Sequence, residues 1–113
     1  MPATYEDANL IVQLVRWETD MNLQESVRQL NSDAYDPATA SAHDKDVSRV
    51  LMFGETLSTL VKHRILDREL VLDLWWVTGL WSRVAGPATR MREQLGEPRL
   101  YENFEALAQS VLA

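Results

Sequence analysis

The fold is decided by twelve residues, Leu70-Val-Leu-Asp-Leu-Trp-Trp-Val-Thr-Gly-Leu-Trp81. Nine of these positions are apolar, and three of the nine are tryptophan. A helix of this composition has almost no side to present to water, and such helices are buried. The stretch therefore predicts a central helix that the rest of the chain covers.

At about 100° per residue, a helix over this stretch carries apolar residues on two opposite faces. The first face is the usual stripe that meets a core, and it comprises Leu70, Leu74, Val77 and Trp81. The second face comprises Leu72, Trp75, Trp76 and Gly79. A chain of 113 residues covers both faces only if the helix is sandwiched, so we expect a second layer of helices, a partner subunit or both.

The composition is that of one acidic domain over residues 1–113 without cysteine. The net charge of −6 repels phosphate backbones, so no nucleic-acid partner is expected. The absence of cysteine excludes disulfides, thiol nucleophiles and thiolate metal sites. The amino-terminal residues lack the pattern of a signal peptide, which predicts a cytoplasmic location. The apolar run is shorter than the ~18 residues of a membrane span and contains Asp73, so no span is expected.

The first half of the chain predicts two helices joined by a long connection. Thr4 and Asp7 have the spacing of a helix-opening cap, and residues 5–30 read as one long helix that bends between Asp20 and Asn22. Residues 31–45 are small and polar, as in a surface crossover or a mobile lid. The helix over 46–64 contains Gly54, which costs roughly 1 kcal/mol relative to Ala and indicates a close helix crossing.

The second half predicts the central helix, a short or kinked segment and a closing helix. Asp67 suits the N-cap of the central helix, which we expect to run to about Ala85. Gly86 and Pro87 then end or kink that helix, and an apolar line continues to Gly96. An amphipathic helix follows over 100–112. The expected fold is all-α, a helical bundle of four main helices plus a short or Pro-kinked fifth segment.

No pattern of a metal or cofactor site stands out. Neither His43 nor His63 follows a glutamate by three residues, so the di-iron motif of helical bundles is missing, and no metal or cofactor is expected. Glu69 and Asp73, one turn apart, form the best candidate acid pair, although solvated or Arg-paired carboxylates explain them as well. The arginines at 83, 90, 92 and 99 either bind an acidic group or pair with interleaved glutamates.

The tryptophans support two interpretations. Trp75 and Trp76 lie on the second face, where tryptophan is frequent in protein interfaces. Trp17 and Trp81, together with Asp73, would instead line an apolar ligand pocket between helices, although core filling also explains the two tryptophans.

The chain resembles an uncharacterised bacterial all-helical domain family over residues 47–108. The shared features are Val50-x-x-Phe53, the joint Ile65-Leu66-Asp67, Leu74-Trp75, Trp81, Arg90 and Tyr101-x-x-Phe104-Glu105-x-Leu107. The resemblance implies a helical fold and a packing contact between Arg90 and Glu105. It implies no activity.

The sequence therefore leaves two hypotheses for the function. The first is a non-catalytic interaction domain that forms a homodimer through Leu72, Trp75, Trp76 and Gly79. The alternative is a small-molecule-binding protein or minor enzyme that uses Trp17, Asp73 and Trp81. The sequence favours the first, because it presents no catalytic constellation.

Overall fold

The computed structural model describes residues 2–112, which form a bundle of helices with no strand among them. The all-α expectation is confirmed. No helix in this part of the chain is long and apolar enough to cross a bilayer. The helices are α1 (Tyr5–Asp20), α2 (Leu23–Leu30), α3 (Lys45–Lys62), α4 (Arg68–Leu74), α5 (Val77–Leu95) and α6 (Glu102–Leu112).

The expected cap at the start of α1 is present. The Thr4 hydroxyl accepts a hydrogen bond from the Asp7 backbone N–H, and the Asp7 carboxylate accepts one from the Thr4 N–H at 2.7 Å. The second Asp7 oxygen accepts from the backbone N–H of Asp67 at 2.9 Å. One buried carboxylate therefore caps α1 and also fixes it to the loop before α4.

The expected bend between Asp20 and Asn22 is a complete break. Asn22 adopts the left-handed conformation with φ 58°, which no helix continues through, and α2 starts at the next residue. Asn31 ends α2, as expected. The single helix predicted over 5–30 is thus two helices.

The helix that organises the bundle is α3 rather than the tryptophan-rich stretch. It packs against α2, α4, α5 and α6, and much of its length is buried. The close crossing expected at Gly54 is confirmed, because a Cβ atom there would overlap the ring of Phe104 on α6. That ring also packs edge-on against Trp81 of α5, with centroids 5.1 Å apart.

Helix α5 continues through Pro87 to Leu95, so of the two alternatives expected at Gly86 and Pro87, an end or a kink, the end is wrong. Proline has no N–H to donate to the carbonyl of Arg83, one turn earlier. The hydroxyl of Tyr35 donates to that carbonyl instead, at 2.6 Å. A Cβ atom at Gly86 would lie 2.9 Å from the carbonyl oxygen of Pro37. The crossover between α2 and α3 therefore packs directly on α5 and completes its hydrogen bonding.

Candidate interaction surface at the joint between α4 and α5

The central helix expected from Asp67 to about Ala85 is interrupted at Trp75 and Trp76. Asp67 caps α4 as expected, by accepting from the Leu70 N–H at 3.0 Å. Trp75 is extended, with φ −127° and ψ 141°, and Trp76 has φ −84° and ψ 72°. The prediction of one two-faced helix over residues 70–81 is therefore wrong. Because α4 and α5 have separate axes, the residues assigned to each face do not line up along one helix.

Trp75 faces the interior and explains the break. Its ring packs against Phe53 of α3, with centroids 5.8 Å apart, and its indole N–H donates to Glu18 at 3.1 Å. An indole N–H that is withdrawn from water needs such an acceptor. The extended backbone allows the side chain to reach both partners, so Trp75 packs against the core and is half-buried there.

Trp76 faces outward and is 67% exposed. Part of its ring covers Gly79, because a Cβ atom at Gly79 would overlap the indole. Gly79 is buried by this neighbour rather than by a second backbone, and Leu72 is half-buried against the core. Of the four residues expected to form the interface, Trp76 is the one that presents a large apolar surface.

Leu74, which the sequence placed on the core stripe, is instead 52% exposed beside Trp76. The break at Trp75 changes the direction of the chain, so Leu74 no longer lies in line with Val77 and Trp81. Both of those residues are buried. Leu74 and Trp76 together form a small apolar projection.

A groove lies on each side of this projection. Part of Trp75 lines both grooves. The α2 groove is completed by Glu18, Leu23, Gln24, Val27 and Leu80. The α6 groove is completed by Leu72, Asp73, Val77, Thr78 and Val111. We call Leu74, Trp76 and these two grooves the Trp76 surface. It is apolar at its centre, with a carboxylate, Glu18 or Asp73, in each groove.

The three residues of the alternative ligand pocket do not meet. Trp17 packs against Phe53, with centroids 5.2 Å apart, whereas Trp81 packs against Phe104. Asp73 is exposed in the α6 groove. The tryptophans fill different parts of the core, so they do not form a common wall with Asp73.

The candidate acid and metal groups are dispersed. Glu69 and Asp73 are both exposed, and so are His43 and His63. Among residues 2–112, no three His, Asp or Glu side chains are grouped closely enough to hold a metal ion. The arrangement provides no carboxylate pair in a protected environment.

The expected contact between Arg90 and Glu105 is wrong. The Arg90 guanidinium donates to the carbonyls of Pro37, at 2.7 Å, and Ala40. Glu105 pairs with Arg92 at 3.2 Å. Residues 90 and 92 lie about 200° apart on α5, so only one of them faces α6.

The other arginines of this cluster also have structural partners. Arg83 donates to the carbonyl of Leu30 at 2.7 Å and lies over the Tyr35 ring, 5.4 Å from its centroid. Arg99 pairs with Glu102 at 2.8 Å. These contacts favour a structural role for the cluster over anion binding.

Sequence reasoning missed a buried polar contact between α2 and α3. The Ser26 hydroxyl donates to the Asp46 carboxylate at 2.7 Å, and Arg49 approaches the same hydroxyl at 3.3 Å. Asp46 lies in the first turn of α3, two residues after the N-cap Asp44. From the sequence alone, a solvent-exposed carboxylate at this position is as good an explanation of Asp46 as a buried contact. Only Ser26, a small polar residue on the apolar side of its helix, could have indicated the contact.

The chain was compared with known proteins and protein families. No curated protein and no solved structure matches it. The sequence pattern of a family described as a domain of unknown function (DUF4760) matches residues 5–111. This match covers α1, which the sequence features of the resemblance left out. The chain belongs to this family of domains of unknown function.

Proposed function

We propose that this protein is a non-catalytic interaction domain that forms a homodimer through the Trp76 surface. The observation that carries the proposal is Trp76, a tryptophan 67% exposed beside Leu74 at 52%. A tryptophan side chain can bury about 150–250 Å² and is among the commonest residues that dominate binding energy. Its exposure in a single chain is therefore costly unless a partner covers it.

The placement of the titratable groups supports a role in binding rather than catalysis. The candidate acids are solvated. The guanidinium groups of Arg83, Arg90, Arg92 and Arg99 donate to carbonyls or to glutamates, with Arg92 Nη2 the one buried side-chain nitrogen in the described part of the chain that has no partner. The cysteine-free, acidic composition is compatible with the reducing cytoplasm, and the resemblance noted above supports a bacterial source.

The test is the molecular mass in solution, measured by light scattering after size-exclusion chromatography. We expect the wild-type protein to be dimeric and Trp76→Glu to be monomeric, because a new charge in the contact must be desolvated. Leu74→Glu should have the same effect without removing the ring that covers Gly79.

The matched control is Met52→Glu, which places the same charge at another apolar position, 49% exposed and outside both grooves. It should leave the mass unchanged. A wild-type protein that is monomeric at micromolar concentration would remove the basis of the proposal. So would a dimer that persists in both surface variants.

A further inference from the structure

The outer face of α1 carries a second apolar feature, which neither the bundle nor the Trp76 surface uses. Tyr5 is 91% exposed, Val12 is 59% exposed and Val15 is 44% exposed, and Ala8 between them is exposed as well. These four residues, which we call the α1 stripe, lie within one arc of the helix. The residues that meet the core, such as Leu14 and Trp17, lie on the opposite side.

The spacing of the α1 stripe indicates what kind of partner it fits. Its positions are separated by three, four and three residues, which is the repeat of about 3.5 residues that keeps a helix in continuous contact with another helix. The stripe is therefore continuous along α1, and a second helix could lie against its whole length.

The α1 stripe is also next to the Trp76 surface. Val15 lies one turn before Glu18, and Glu18 lines the α2 groove. Trp76 at 67% exposure offers at most roughly 170 Å². A stable interface needs about 800 Å² from each partner, so the projection needs neighbouring apolar surface to complete it. The α1 stripe provides that surface.

We propose that the α1 helices of two copies of this chain pack antiparallel along the α1 stripe; this inference rests on the self-association proposed above. A two-fold dimer brings the same surface of each copy together, so the stripe must be compatible with itself. In this arrangement Tyr5 lies opposite Val15 of the second copy, and Ala8 lies opposite Val12. The two-fold axis then passes near the middle of the stripe, and the residues beside the stripe that lie nearest to it are Asn9 and Ile11. Neither carries a charge, and no like charges meet at the centre.

The antiparallel arrangement also brings the second copy close to the Trp76 surface. The two ends of α1 differ, because Tyr5 is at one end and Glu18, beside the α2 groove, is at the other. Antiparallel packing brings Tyr5 of the second copy next to Val15, one turn from that groove. A parallel pair would place the two Tyr5 side chains against each other, at the end of α1 away from the groove.

The inference is tested by two variants of α1 that add the same charge on different sides. Val12→Glu places a carboxylate in the centre of the α1 stripe, and Gln13→Glu places one on the polar side of the same helix. Both positions are exposed, so both variants should fold with an unchanged helical circular-dichroism spectrum. We expect Val12→Glu to raise the dimer dissociation constant at least tenfold and Gln13→Glu to leave it within twofold.

Helix orientation is measured by a distance between spin labels. The chain has no cysteine, so Asp20→Cys gives one attachment point per copy. In the antiparallel arrangement the two labels are separated by about 30 Å along the helix axis, at about 1.5 Å per residue. In a parallel pair they lie side by side, roughly 10 Å apart.

The outcomes separate this inference from the proposed function. A wild-type monomer overturns both, and leaves a helix of another protein as the occupant of the stripe. A dimer that Trp76→Glu dissociates and Val12→Glu does not overturns the inference alone. A short distance between the labels overturns the antiparallel arrangement. A dimer weakened by Val12→Glu, with the labels far apart, supports it.

Discussion

Replacing Tyr35 by Phe removes the group that completes the hydrogen bonding of α5 at Pro87. The Tyr35 hydroxyl donates to the carbonyl of Arg83 at 2.6 Å, and Pro87 cannot. A buried acceptor left without a donor costs about 1–3 kcal/mol. Because Tyr35 is half-buried and water can partly replace its hydroxyl, we expect Tyr35→Phe to lower the free energy of unfolding by about 1–1.5 kcal/mol.

A double-mutant cycle isolates this contribution. Pro87→Ala restores a backbone N–H that can donate to the Arg83 carbonyl, so the hydroxyl is no longer needed. In that background we expect Tyr35→Phe to cost about 0.5 kcal/mol or less. The coupling energy of the cycle should then be about 0.5–1 kcal/mol. Pro87→Ala also removes a buried proline ring. The free-energy cost of that loss cancels in the coupling energy, because it is present both in Pro87→Ala alone and in the double variant.

The assay is urea unfolding followed by tryptophan fluorescence, at one fixed protein concentration because an associating protein gains apparent stability with concentration. Tyr101→Phe is the control, since it makes the same chemical change at another half-buried tyrosine, outside the proposed contacts, and should stay within about 0.5 kcal/mol of the wild type. A cost at Tyr35 equal to that at Tyr101, or a coupling energy of zero, would refute the reasoning.

Two further predictions concern the capping carboxylate and the closest helix crossing. Hydrogen bonds from the backbone N–H groups of Thr4 and Asp67 lower the pKa of Asp7 below its ordinary value of 3.8. This contribution to stability is therefore present above about pH 3.8 and is lost as the pH falls through the lowered pKa. Asp7→Asn should make the decline of stability with acid shallower in pH-dependent melting, and an unchanged decline would contradict this. Gly54→Ala should cost about 1–3 kcal/mol in urea unfolding, because the new Cβ overlaps the Phe104 ring. A variant as stable as the wild type would show that α3 and α6 have room to separate.

The features that sequence reasoning predicted correctly are local. The cap formed by Thr4 and Asp7 depends on two residues one turn apart, and so does the cap formed by Asp67. The close crossing at Gly54 was predictable because glycine destabilises a helix relative to alanine, so its presence inside α3 indicated a steric reason. For the two caps the cause lies within a few residues of the effect, whereas Gly54 indicated that a close contact exists but not that Phe104 makes it.

The features that sequence reasoning missed depend on distant partners. Nothing between Leu74 and Val77 resembles a helix end, and the break there is fixed by Phe53 and Glu18. Pro87 has the local signature of a stop, but Tyr35 supplies the missing donor from the crossover. Tertiary contacts override local preference at both points.

The candidate site shows the same division. The tryptophan-rich stretch predicted a second apolar face covered by further helices or by a partner subunit, and within the chain Trp76 is left exposed. Which neighbours accompany it could not be predicted, because Leu74 and Trp75 exchange their expected roles when the helix breaks. The projection and its two grooves follow from that exchange.

The central claim is that two copies of this chain associate through the surface around Trp76, and its most direct test is the mass of the wild-type protein in solution. Light scattering at micromolar concentration should give twice the chain mass of 12.9 kDa. Trp76→Glu, measured in parallel, should give the single-chain mass. A wild-type mass of one chain over the whole concentration range would contradict the claim.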